Sequence, residues 1–115
     1  MRRARVVVSH RAPDRPPIQV LRGDAVLLGE RDVDWPEFVW TTVPGGLGGW
    51  VPASLFDRDG GAAVALEDYD ARELDAEADE VVTLHRELAG WWWAENALGV
   101  QGWIPGRALE MLDDG

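Results

Sequence analysis

The sequence predicts an all-β chain built as two small five-stranded barrels in tandem, packed together. Three observations predict it. A ring-and-glycine motif occurs twice, with Gly49-Trp50-Val51-Pro52 returning as Gly102-Trp103-Ile104-Pro105. Short runs rich in Trp, Val and Thr alternate in the way a half-buried pleated strand requires. Turn residues are dense between them, at Pro44-Gly45-Gly46, Gly48-Gly49, Asn96, Gly99 and Gly102, where helix would be disfavoured.

The repeat places each element. Counting back without gaps from Trp50 and Trp103, Phe38-Val39-Trp40-Thr41 falls on Trp91-Trp92-Trp93-Ala94, and Gly46 on Gly99. A second block runs three residues out of step with the first. It sets Ile18-Gln19-Val20 on Leu74-Asp75-Ala76, Asp24 on Glu80, Val26 on Val82 and Leu28 on Leu84. The difference fits a longer loop around Glu30–Glu37 in the first repeat. Upstream, His10 corresponds to Tyr69. Such gaps spare the apolar blocks, as duplication of one compact unit would. The expected domains are residues 1–57 and 64–115, joined by a linker over 58–63. The stretch Asp57-Arg58-Asp59-Gly60-Gly61 is too short to let them roam. The acidic run Leu66–Glu80 reads as an extended loop from its register against Pro13–Pro17.

Composition excludes several classes. The chain has 115 residues and no Cys, so no disulfide, thiolate metal site or thiol nucleophile is available. No apolar run reaches the length of a membrane helix, and Val6-Val7-Val8 is too short for an export signal after the basic Met1–Arg5. A cytoplasmic location is expected. All 11 basic residues are Arg against 21 acids, net −10. That sign opposes nucleic acid and anionic membranes and favours basic partners. Residues 1–57 balance, so the whole excess is expected in residues 58–115.

Over Val64–Leu112 the chain resembles a Src-homology-3 (SH3) domain. Ala65-Leu66-Glu67-Asp68-Tyr69 is similar to that family's opening motif, and Glu73-Leu74 to the end of its long first (RT) loop. Trp91-Trp92 resembles its Trp pair, and Gly102-Trp103-Ile104-Pro105 its glycine-aromatic-Ile-Pro. The first repeat resembles the family mainly through its register to the second. The pair also resembles the short tandem SH3-like proteins of bacteria. The resemblance implies a non-catalytic module that takes proline-rich peptides, laid as a polyproline II helix across aromatic grooves. Carried over by position, one groove would use Tyr69, Trp91, Trp103 and Pro105, with Glu73 set to meet a ligand Arg or Lys. The other would use His10, Phe38, Trp50 and Pro52. Two family tyrosines are replaced, by Glu67 and Ala108 in the second repeat and by Val8 and Leu55 in the first.

Strand alternation sets Val39, Thr41, Trp92 and Ala94 on one side and Phe38, Trp40, Trp91 and Trp93 on the other; the resemblance implies that the first four point inward. Trp40 and Trp93 are expected to lie between the barrels, and Trp91 to face a ligand. His10 and His85 have no second ligand at metal spacing. Asp75, Glu77 and Asp79 alternate without the glycine of a calcium loop. No metal or cofactor is expected. Ser9 and Ser54 show no paired base, and no phosphate-binding glycine loop occurs, so no enzyme is expected. Pro13-Asp14-Arg15-Pro16-Pro17 reads as a stiff loop. The expected function is to bind a protein or peptide of proline- or arginine-rich character. The alternative is a structural or assembly protein that uses its aromatic faces for self-association or a fixed partner subunit. A bacterial cell-wall-binding module is a third class, disfavoured by the missing export signal.

Overall fold

The structure is a computed structural model that describes residues 2–112. Eleven strands follow one another: β1 (Arg2–Val6), β2 (Gln19–Val20), β3 (Ala25–Arg31), β4 (Phe38–Thr42), β5 (Gly48–Pro52), β6 (Gly61–Val64), β7 (Tyr69–Asp70), β8 (Val81–Leu88), β9 (Trp91–Glu95), β10 (Gln101–Pro105) and β11 (Leu109–Met111). Single 3₁₀ turns, Ala53–Leu55 and Gly106–Ala108, follow β5 and β10. There is no α-helix among the described residues, so the chain is all-β, and the run Leu66–Glu80 is extended.

The chain divides into two compact units, and not at the expected place. One joins residues 1–15 to 72–115; the other is residues 16–71. We call them the split unit and the contiguous unit. In the split unit the sheet order is β10-β9-β8-β1-β11. Strand β1 lies antiparallel between β8, with Ala4 opposite Val82, and β11, with Arg5 opposite Glu110. In the contiguous unit the order is β5-β4-β3-β6, with Ala63 opposite Val26. A small pair, β2 with β7, completes it. Each repeat has therefore given its opening strand to the other. The boundaries at 57 and 64 are corrected accordingly.

The physical reason lies in the two opening strands. β1 turns Ala4 and Val6 inward, both 0% exposed; the second repeat turns Ala63 and Ala65 inward, at 4% and 2%. Small apolar side chains at the same spacing suit either sheet, so the repeat pattern does not say which strand goes where. The expected linker is instead a hairpin turn inside the contiguous unit. Asp57 N–H donates to the Val64 carbonyl at 3.1 Å, and Asp57 Oδ1 accepts the Val64 N–H at 2.8 Å. This early turn shortens the fifth strand there to a single bridge, Phe56 to Ala65. Five strands form one sheet only in the split unit.

The long loops are exchanged too. His10 pairs with Ala76 and Val20 with Tyr69, each antiparallel. The chain passes from unit to unit just after Arg15 and just after Ala71. The acidic run receives the first fifteen residues. Asp75 Oδ1 accepts the Ala12 N–H at 2.7 Å, Glu77 binds Arg11 and Ser9, and Asp79 bridges Arg5 at 3.3 Å. These carboxylates are exposed, and from the surface they fasten the first fifteen residues to the acidic run.

The core of the split unit gathers Val6, Leu74, Val82, Trp92 and Ile104; that of the contiguous unit gathers Ile18, Val20, Val39, Val51 and Phe56. Burying each such side chain stabilises by about 1.5–3 kcal/mol relative to exposure. The repeated glycine has a steric cause. A Cβ on Gly102 would sit 2.7 Å from the Leu74 nitrogen and 2.8 Å from the Glu73 carbonyl carbon. Backbone passes there because Trp103 N–H donates to Arg72 O and Leu74 N–H to Trp103 O, both at 2.9 Å.

Exchange also moves the charge. By sequence, the split unit holds eight Arg and eleven acids, net −3, and the contiguous unit three Arg and ten acids, net −7. The second repeat was expected to carry the whole excess. The Arg-rich first strand offsets it, and residues 16–71 are the more acidic body.

Candidate functional site: a ring-lined groove in the split unit

The exchange redistributes the expected site residues. Glu73, Trp91, Trp103 and Pro105 stay together in the split unit, and His10 joins them. Tyr69 belongs to the contiguous unit, with Phe38, Trp50 and Pro52. The two expected grooves have thus traded His10 for Tyr69.

In the split unit β9 and β10 place Trp91 opposite Pro105. His10 is fixed by a reciprocal backbone pair with Ala76, at 2.8 and 2.9 Å. Its imidazole meets the Trp91 ring edge-on, with centroids 5.5 Å apart and planes at 76°. The His10 Nε2 lies 2.8 Å from Glu73 Oε1, in a pair whose side chains are only 17% and 20% exposed. Glu73 is held there by its bridge to Trp103. The result is a row: carboxylate, imidazole, indole, proline.

Beside that row is a cavity of about 300 Å³ lined by Val8, Ser9, His10, Pro105, Arg107 and Ala108. Val8 and Ala108 occupy two positions where the resemblance implies tyrosines. Short side chains there leave room between His10 and Pro105. Ser9 and Arg107 were not named as site residues, and Val8 was assigned to the other groove because residues 1–15 read as part of the other body.

The contiguous unit differs at the matching positions. Phe38 was expected to face outward with Trp91's role, yet it is 6% exposed. Trp35, in the loop peculiar to the first repeat, covers it edge-on at 6.5 Å. Pro52 is fully buried. Trp103 too is 5% exposed, under Trp93 at 5.3 Å and an Arg86 guanidinium 5.9 Å from its centre. Trp103, expected to contact a ligand, is not among the residues that line the cavity. Trp40 and Trp93, expected between the barrels, each pack edge-on against a ring of their own unit: Trp40 on Trp50 at 5.1 Å, Trp93 on Trp103.

Around Trp93 runs a polar chain. Trp93 Nε1 donates to Gln101 Oε1, Gln101 Nε2 donates to Glu95 Oε1, and His85 Nε2 shares that oxygen, each at 3.0 Å. The Gln101 amide, and then His85, hold the Glu95 carboxyl below the usual carboxylate range. Among the described residues, no three His, Asp or Glu side chains are disposed to hold a metal ion. No described helix is long and apolar enough to cross a membrane.

Short antiparallel sheets, with His10 and Pro105 lining a cavity beside Trp91, make up the split unit's candidate site. The family model described as variant SH3 domain matches residues 63–112, and over that run the chain is similar to that family. Members of that family are protein-interaction modules that bind proteins or peptides. The match is continuous in sequence, whereas the fold divides the same run between its two units after Ala71. Comparison with curated proteins and with solved structures finds no match.

Proposed function

We propose that this chain is a non-catalytic peptide-binding protein made of two SH3-like barrels, and that the split unit carries its principal groove. One observation supports the reading above others: His10, Trp91 and Pro105 converge beside the Glu73 carboxylate. An extended proline-rich segment would pack its rings against Trp91 and Pro105 with little ordering cost. A basic side chain of the same peptide would take the second oxygen of Glu73 while the first stays on His10. The net charge of −10 favours such a partner.

Titration with an arginine-flanked proline-rich peptide, followed by Trp fluorescence and by amide shifts, tests the proposal. Trp91→Ala is expected to keep the β circular-dichroism spectrum and to weaken binding at least tenfold, the loss of a central aromatic anchor. Unchanged affinity in that variant removes Trp91 from the site.

The alternative, a structural or assembly role, draws on the contiguous unit. There Ala25, Leu27, Ala62 and Val64 form an outer sheet face beside a cavity of about 530 Å³, with Leu27 61% exposed. The matching face of the split unit carries Arg3, Arg5, Val81 and Thr83. An apolar face of this kind suits a fixed partner surface.

A further inference from the structure

The opening strands could be arranged in two ways without changing register. As built, Ala4 lies opposite Val82 and Ala63 opposite Val26. Val26 and Val82 are matching positions of the repeat, and so are Ala4 and Ala63. A chain that kept each opening strand on its own repeat would pair Ala4 with Val26 and Ala63 with Val82. It would bury the same inward side chains in sum, with Val6 and Ala65 changing places between the two cores. Ladder bonds alone therefore cannot choose between the two arrangements.

The outward side chains can. Arg5 reaches Asp79 at 3.3 Å through one nitrogen and Glu110 at 3.0 Å through another, clamping β1 to both its neighbours. The matching positions in the contiguous unit are Gly23, which has no carboxylate, and Asp57, so one of the two partners of Arg5 would be lost there. The Arg2 guanidinium lies 5.6 Å from the centre of the Trp92 ring, a cation–π contact. Its match in the contiguous unit is Val39, which has no ring. On β6, the positions of Arg2 and Arg5 are held by Gly61 and Val64, which carry no charge.

We propose that Arg2 and Arg5 are positioning residues that assign the first strand to the split unit. They thereby decide that His10, and not Tyr69, stands beside Glu73 and Trp91. Arg5 is partly exposed, and each contact alone is modest; the two act in the same direction. The assignment holds with or without a peptide ligand, so it stands apart from the proposed binding function. It also sets the charge of each unit, since β1 brings three Arg with it.

The chain lacks cysteine, so disulfide trapping reads the pairing directly. Arg3 lies opposite Thr83 in the structure and would lie opposite Leu27 in the other arrangement. The Arg3 carbonyl accepts Leu112 N–H from β11, so Arg3 and Thr83 form the non-hydrogen-bonded, closer kind of cross-strand pair, at a spacing a disulfide can span. The full chain bearing Arg3→Cys, Leu27→Cys and Thr83→Cys is refolded from denaturant in a glutathione buffer. The monomer is isolated and its disulfides are mapped by mass spectrometry. The 3–83 bond is expected to exceed the 3–27 bond at least tenfold. Adding Arg2→Ala with Arg5→Glu is expected to shift that ratio toward 3–27 by roughly tenfold, while Arg5→Lys keeps it. A predominance of 3–27 at the outset overturns the proposal, and so does a ratio indifferent to the double change. Should the double variant lose its β spectrum, Arg5→Ala alone decides: a smaller shift in the same direction supports the proposal, and none overturns it.

Discussion

The split and contiguous units repeat one backbone and fill it differently. Position by position, Trp91 corresponds to Phe38, Trp92 to Val39, Gln101 to Gly48 and Arg5 to Val64. Where the split unit builds a chain of hydrogen bonds around Trp93, the contiguous unit lays Trp40 over Gly48, close enough that a Cβ would sit 2.4 Å from the indole. The strand order and the glycine at positions 49 and 102 are shared; the side chains, inward as well as outward, are not. Shared backbone therefore predicts shared architecture, while each surface has to be read from its own side chains.

The largest expected effect comes from cutting the chain. Residues 16–71 hold all their strands in one run, so that fragment is expected to unfold cooperatively in denaturant. Residues 64–115 lack β1, the strand between β8 and β11, and are expected to show no cooperative transition until a peptide of residues 1–15 is added. A stably folded 64–115 fragment would erase the distinction between the units.

A smaller effect sharpens the comparison. Gly102→Ala drives a methyl into backbone, whereas Gly49→Ala meets only the Ile18 side chain, at 3.0 Å. Urea denaturation is expected to show a loss of about 3 kcal/mol for the first and about 1 kcal/mol for the second, within the usual range for overpacking. Equal losses would mean that the two glycines answer to the same constraint.

The smallest effect concerns pH. The Glu95 carboxyl is held below its ordinary range by Gln101 and His85, and its counterpart Thr42 has no charge to titrate. A depressed folded-state pKa contributes stability that is present above the unfolded value and lost as pH falls through the folded one. A carbon-detected NMR titration is expected to place the Glu95 midpoint below that of the exposed glutamates. Gln101→Ala is expected to raise it.

The all-β class and the strand register were legible because inward residues alternate and Gly49 and Gly102 recur where neighbouring chain passes closely. The exchange was not legible, since Ala4 with Val6 and Ala63 with Ala65 both present small apolar faces at the same spacing. That one ambiguity misplaced His10 and Tyr69, the unit boundaries and the charge balance together. Glu73, Trp91, Trp103 and Pro105 fall in one unit because all four lie on the same side of the crossing. Phe38 was misjudged for a different reason: Trp35, which covers it, sits in a loop that the second repeat does not have.

The most direct test of the account is a set of cross-strand nuclear Overhauser contacts in the intact chain. The account predicts Arg3 Hα close to Thr83 Hα and Ala62 Hα close to Leu27 Hα. Contacts of Arg3 with Leu27 and of Ala62 with Thr83 would contradict it, for each repeat would then have kept its own first strand.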